Sequence, residues 1–99
     1  MKANRRYVRI KLDNILYVET KGDYVVFRTE KESLIVHSTL KNIESQLDPE
    51  KFVKVHRSYI VNLSRIVDIE EGTLVIEDKV IPISRAQKPI LMDRIQVIS

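Results

Sequence analysis

Nine short apolar runs, at residues 7–12, 15–18, 24–27, 34–36, 52–55, 59–61, 66–69, 74–76 and 80–83, set the limits on what this 99-residue chain can fold into. Valine and isoleucine dominate them, and most are too brief for a helix. Short β-branched runs bounded by polar residues predict strands. The segments 21–23, 30–32, 70–72 and 78–79 have the glycine, aspartate and charged residues of hairpin turns, so most strands should run antiparallel.

Two segments break this rhythm. Ser38 is placed to cap a helix in which Leu40, Ile43 and Leu47 share one face, and Asp48-Pro49 ends it, which predicts a helix over 39–47. Near the C-terminus, Leu91, Ile95 and Ile98 have helical spacing, but Pro89 bars a helix that starts directly after Ser84. The expectation is a short turn near Arg85 and then a helix from about Pro89.

The stretch 52–63 poses a conflict that local structure must resolve. Its odd positions are Val53, Val55, Arg57, Tyr59, Val61 and Leu63, one cation on an otherwise apolar face. A strand running straight through would drive Arg57 into the core, and an unpaired buried charge costs several kcal/mol on an order-of-magnitude scale. The chain is therefore expected to turn at 56–58 and present Arg57 outward.

A chain of this length suits a single domain with a core of its own. With 43% hydrophobic residues, two glycines and three prolines, it has the composition of a globular protein and not of a disordered one. There is no cysteine, which excludes a disulfide framework and thiolate zinc sites. No apolar run approaches the roughly 18 residues of a membrane span, and none reads as a signal peptide. The default expectation is a cytoplasmic protein without a membrane partner. Met1-Lys-Ala-Asn-Arg-Arg6 leads straight into the first apolar run, which suggests a domain cut from a longer protein, with a small stand-alone protein as the alternative.

Chemistry for catalysis is sparse. The two histidines, His37 and His56, have no cysteine or serine motif beside them and no carboxylates at metal-ligand spacing. His37 is expected at the end of a strand, and His56 is expected to orient the turn that follows it through a backbone hydrogen bond. Phosphate-cradling glycine loops are absent, because Gly22 and Gly72 each fall in a turn. Neither an enzyme nor a cofactor is expected.

A net charge of +3, with lysines and arginines spread along the chain, gives weak support to a polyanionic partner. Particular positions carry more. The turn 20–24, the turn 56–58 and the Ser84-Arg85 step all place polar groups next to strands, where a reader of base edges should be mounted. Arginine suits that work, since its planar fork can donate two hydrogen bonds to guanine O6 and N7. Arg57 and Arg85 each close an apolar run. The usual alternative for a surface arginine is a solvated face, and tyrosines such as Tyr7, Tyr17, Tyr24 and Tyr59 are more often core residues than stacking platforms for unpaired bases.

Residues 15–24 (Ile-Leu-Tyr-Val-Glu-Thr-Lys-Gly-Asp-Tyr), the 39–47 helix, the 52–63 phrase Phe-x-Lys-Val-His-Arg-Ser-Tyr-Ile-Val-Asn-Leu and Ile81-Pro-Ile-Ser-Arg85 follow one another as in LytTR domains, and the chain resembles that family of bacterial DNA-binding domains over most of its length. The resemblance implies a mainly β fold: an elongated β-β-β sandwich of about ten short, mostly antiparallel strands with one or two short helices. It implies sequence-specific binding of double-stranded DNA in a two-component response regulator, through loops inserted into successive major grooves and without a cofactor. A receiver domain would precede it in the full-length protein, and dimerisation on DNA is expected. Base-contacting positions of the family fall on the turn around Asp23 and Tyr24, on Arg57 and on Arg85. Lys21 is a further candidate in that turn, and Asp23 could equally cap it. Lys21, Lys54 and Lys88, with His56, Ser58, Asn62 and Ser84, are expected to touch the DNA backbone or support the loops. The rival from another class is a small β-rich module for an acidic protein partner. A preferred base sequence, and affinity that falls with salt, would separate DNA binding from it.

Overall fold

The computed structural model describes residues 2–3, 6–7 and 9–95. Ten strands are assigned among them: β1 (Lys2–Ala3), β2 (Arg6–Tyr7), β3 (Ile15–Lys21), β4 (Tyr24–Thr29), β5 (Ser33–His37), β6 (Phe52–His56), β7 (Tyr59–Asn62), β8 (Ile66–Glu70), β9 (Thr73–Ile76) and β10 (Lys79–Pro82). Two helices join them, α1 (Leu40–Gln46) and α2 (Lys88–Arg94). β1 pairs only with β2. The others form a five-stranded sheet in the order β5-β4-β3-β7-β6 and a three-stranded sheet in the order β10-β9-β8. Every pairing is antiparallel, and the molecule is elongated, 46 × 23 × 23 Å. The mainly β, antiparallel character and the two short helices were expected from the runs and turns, and the packing of strands into a sandwich was what the family resemblance implied.

The larger sheet is covered on both faces, which is why its central strands read as continuous apolar runs and not as alternating ones. One face carries Val18, Val25, Phe27 and Ile60 against Leu40, Ile43 and Leu47 of the α1 segment. The other carries Tyr17, Val53, Val55 and Val61 against Leu74, Ile76 and Ile81 of the smaller sheet and Leu91 of α2. An irregularity in the β3–β4 register between Ile15 and Tyr17 lets the consecutive residues Leu16 and Tyr17 both serve the second cluster. Phe27, Ile60, Leu74 and Leu91 are at most 1% exposed. Burying a side chain of that size stabilises by about 1.5–3 kcal/mol, so these contacts hold the two layers together.

Some local expectations need correction. Residues 7–12 do not form one strand: Tyr7 ends β2 and is 83% exposed, and Leu12–Asn14 is a 3-10 turn closed by the Asn14 N–H donating to the Lys11 carbonyl. Arg9 and Lys11 flank Ile10, which packs against the core. The α1 cap is Thr39 and not Ser38. Thr39 is extended and its hydroxyl accepts from the Asn42 N–H, while Ser38 accepts from the Asn42 side chain. The last hairpin turns at Glu77-Asp78, one residue earlier than expected, because Lys79 pairs with Ile76. Glu77 takes a φ of 54°, a left-handed conformation disfavoured by roughly 1–2 kcal/mol for a residue with a Cβ. α2 starts at Lys88 with Pro89 in its first turn, where a missing N–H does no harm. Ile98 lies outside the described residues.

Candidate nucleic-acid interface

β3, β5 and β6 run toward one end of the five-stranded sheet, and β4 and β7 start from it. The three segments singled out in the sequence meet there. Gly22 and Asp23 form a two-residue turn between the paired residues Lys21 and Tyr24. Gly22 has a φ of +59°, as the first position of a mirror-image hairpin turn requires. Arg57 and Ser58 turn β6 into β7, so the cation on the apolar face is delivered to solvent, as the conflict in the sequence demanded. Ser84 and Arg85 follow β10 and lead into α2.

Backbone hydrogen bonds connect these segments. The Thr20 N–H donates to the Ser58 carbonyl at 3.1 Å, and the Ser84 N–H donates to the Val55 carbonyl at 2.8 Å. The turn after β8 joins the same end, since the Ile83 N–H donates to the Gly72 carbonyl at 2.9 Å. Inside the middle turn, His56 Nδ1 accepts from the Ser58 N–H at 3.1 Å. The His56 ring also lies edge-on to Tyr59, with centroids 5.9 Å apart. These bonds tie the loop backbones to the scaffold and leave the side chains at the tips available.

Arg57 and Arg85 are both exposed, and neither is ion-paired with another described residue. Lys21, Asp23 and Tyr24 are exposed as well. Lys88, at the start of α2, is 3.2 Å from the carboxylate of Glu71. Lys54 is set back along β6, half-buried in a groove between the helices whose lining includes Glu44, Gln87 and Arg94. Ser84 is half-buried, and its carbonyl accepts from the Gln87 and Lys88 N–H groups, which starts the turn into α2.

Asn62 belongs elsewhere. It is 3% exposed at the far end of β7, where its Nδ2 donates to the Ile15 carbonyl at 2.8 Å and its Oδ1 accepts from the Ser64 N–H and hydroxyl. It supports the start of β3 and the Leu63–Arg65 turn, not the loop at 56–58. A second buried polar residue, Glu19, was not anticipated. It lies on β3 beside Tyr59 and Val26, 5% exposed, with Arg28 Nη2 at 3.4 Å. Burial, and next the Glu19 charge, raise the Tyr17 pKa above its ordinary value. The sequence signal for this pair was slight: an acid just after one apolar run and an arginine just after the next.

The fold and this cluster of loops define a class. Over 94% of this chain and 91% of the other, the structure superposes on a solved LytTr DNA-binding domain from Bacillus cereus with a TM-score of 0.81 at 21% identity. Residues 5–96 match the family model described as the LytTr DNA-binding domain, and the chain belongs to that family. It is a DNA-binding family and not an enzyme family. Among similar proteins, the sensory transduction protein LytT of Bacillus subtilis is 33% identical over 91 residues, 86% of this chain and 38% of LytT. The CO-responsive transcriptional regulator RcoM of Rhodospirillum rubrum is 35% identical over 80 residues, 74% of this chain and 34% of RcoM. This chain therefore spans about a third of the length of these relatives. No described helix is long and apolar enough to cross a membrane.

Proposed function

We propose that this domain binds double-stranded DNA sequence-specifically by presenting three adjacent loops to successive major grooves, with Arg57 and Arg85 as direct readers of base edges. One observation carries this proposal. Both arginines are exposed and free of ion pairs with described residues, on loops whose backbones are held together by hydrogen bonds. A guanidinium so placed keeps its fork for a base, and a bidentate pair with guanine is worth about 1–3 kcal/mol of discrimination. The 21–24 hairpin supplies a third contact from Lys21, Asp23 or Tyr24. Lys21 and Lys88 reach phosphates, which fixes register without reading sequence. His56, Ser58 and Ser84 hold the loops from behind. Lys54, set back on β6, is a peripheral phosphate contact.

The names of the relatives, a sensory transduction protein and a CO-responsive transcriptional regulator, support a wider role as the output domain of a bacterial transcription regulator; a cytoplasmic location, a receiver or sensor domain in the same protein and two copies meeting on DNA complete the proposal. The experiment that tests the core of this proposal is selection of bound sequences from a random duplex pool, with wild type and Arg57→Ala in parallel. Enrichment of one motif by wild type, with a single position relaxed in the variant, is expected. Affinity should fall with salt at a slope of about −0.9 per neutralised phosphate. No enrichment at moderate salt would overturn DNA reading in favour of an acidic protein partner.

A further inference from the structure

Tyr24 is exposed although it opens a strand whose next three residues are buried. Val25 and Phe27 point into the α1-side core at 0% exposure, so Tyr24 lies on the opposite face, where it is 48% exposed. It directly follows the Gly22-Asp23 turn, with Lys21 opposite it on β3. On its other side, at the end of edge strand β5, stands His37, its register partner. The two rings are 5.2 Å apart between centroids and tilted by 60°. Among the described residues β5 is the edge strand of this sheet, and the imidazole flanks the phenol on that side.

We propose that His37 is a positioning residue for Tyr24, and that Tyr24, so held, is the base-reading side chain of the first loop. The proposal rests on the DNA-reading function above and deepens it. An exposed tyrosine next to a two-residue turn would otherwise sample several rotamers. A tilted cross-strand aromatic partner favours one of them before DNA arrives, which lowers the entropy lost on binding. The phenol can then present its hydroxyl to a base edge or its ring to a thymine methyl group. Asp23, inside the turn, stays a turn residue.

Selection from a random duplex pool, run on wild type, Tyr24→Ala, His37→Ala, His37→Phe and the Tyr24→Ala/His37→Ala double variant, tests this. Tyr24→Ala should relax one base position, distinct from those relaxed by Arg57→Ala and Arg85→Ala. His37→Ala should relax the same position, by about threefold for a cross-strand aromatic pair. His37→Phe, which keeps a ring, should restore it, and the double variant should match Tyr24→Ala alone. Thermal midpoints measured alongside report folding. Should His37→Ala lower its midpoint, His37→Ser puts the same question with a small polar residue at an exposed strand end. An unchanged motif in His37→Ala, a relaxed position that Tyr24→Ala leaves intact, or an equal loss across all sequences would overturn the positioning role. A wild type that enriches no motif would instead overturn the DNA-reading function on which it rests.

Discussion

The two ends of the five-stranded sheet handle their polar side chains in opposite ways. At the end formed by the 12–14 turn, the 29–33 connection and the 63–65 turn, side chains hold the structure. Arg65 pairs with Glu30 and donates from Nε to the Asp13 carbonyl at 3.1 Å, Thr29 bonds to the Glu32 carbonyl, and Asn62 bridges β7 to Ile15. At the other end most bonds between segments are made by the backbone, with Lys88 to Glu71 a side-chain exception, and Arg57 and Arg85 are left without ion pairs among the described residues. One residue type thus has two uses on one sheet. A guanidinium bound to its own protein cannot grip a partner, and one left in solvent adds little to folding.

The largest effect expected at the structural end comes from Asn62. Replacing it with leucine leaves the Ile15 carbonyl unpaired in a buried place and takes the partner from the Ser64 N–H, and should lower unfolding free energy by about 2–3 kcal/mol in denaturant titrations. A loss within error of zero would show that the two ends do not differ as described. Next come the arginines, as a crossed pair of measurements. Arg57→Ala and Arg85→Ala should each cost about 1–3 kcal/mol of specific DNA binding with no change in thermal midpoint. Arg65→Ala should cost about 1 kcal/mol of stability and leave the selected motif intact. Any arginine that behaves like the other group breaks the contrast.

The smallest effect concerns Tyr17, on β3 between the two ends. Its folded-state pKa is raised by burial and then by Glu19, so the folded protein holds this proton more tightly than the unfolded chain does. That stability is fully present below the unfolded value of about 10 and is lost as pH rises from there through the folded value. Tyr17→Phe should therefore flatten the alkaline decline in thermal midpoint above about pH 10 and change little near neutrality. An identical decline in both proteins would remove Tyr17 as its source.

Much of this was legible in the chain. Local pattern announced the strands of both sheets, because a β-branched run between turn residues has few other places to go. The turn at Arg57 was legible for a stronger reason, since a straight strand would have buried a charge. The Ser38 and Tyr7 expectations failed because caps and strand ends depend on competition between adjacent residues that differ little in propensity. Nothing local marked Asn62 as buried at the wrong end for the 56–58 loop, or Glu19 as an acid inside the sandwich.

The sequence by itself determined the class of fold, the single apolar-face cation that must turn outward, and the family to which these motifs point. Those features follow from short-range sterics and from the cost of burying charge, which each segment carries with it. The tertiary structure alone decided which arginines are engaged and which are free, that three separated loops share one end, and that His37 lies against Tyr24. These depend on strand order and register, with partners many residues away in the chain, and no local pattern encodes which strands become neighbours.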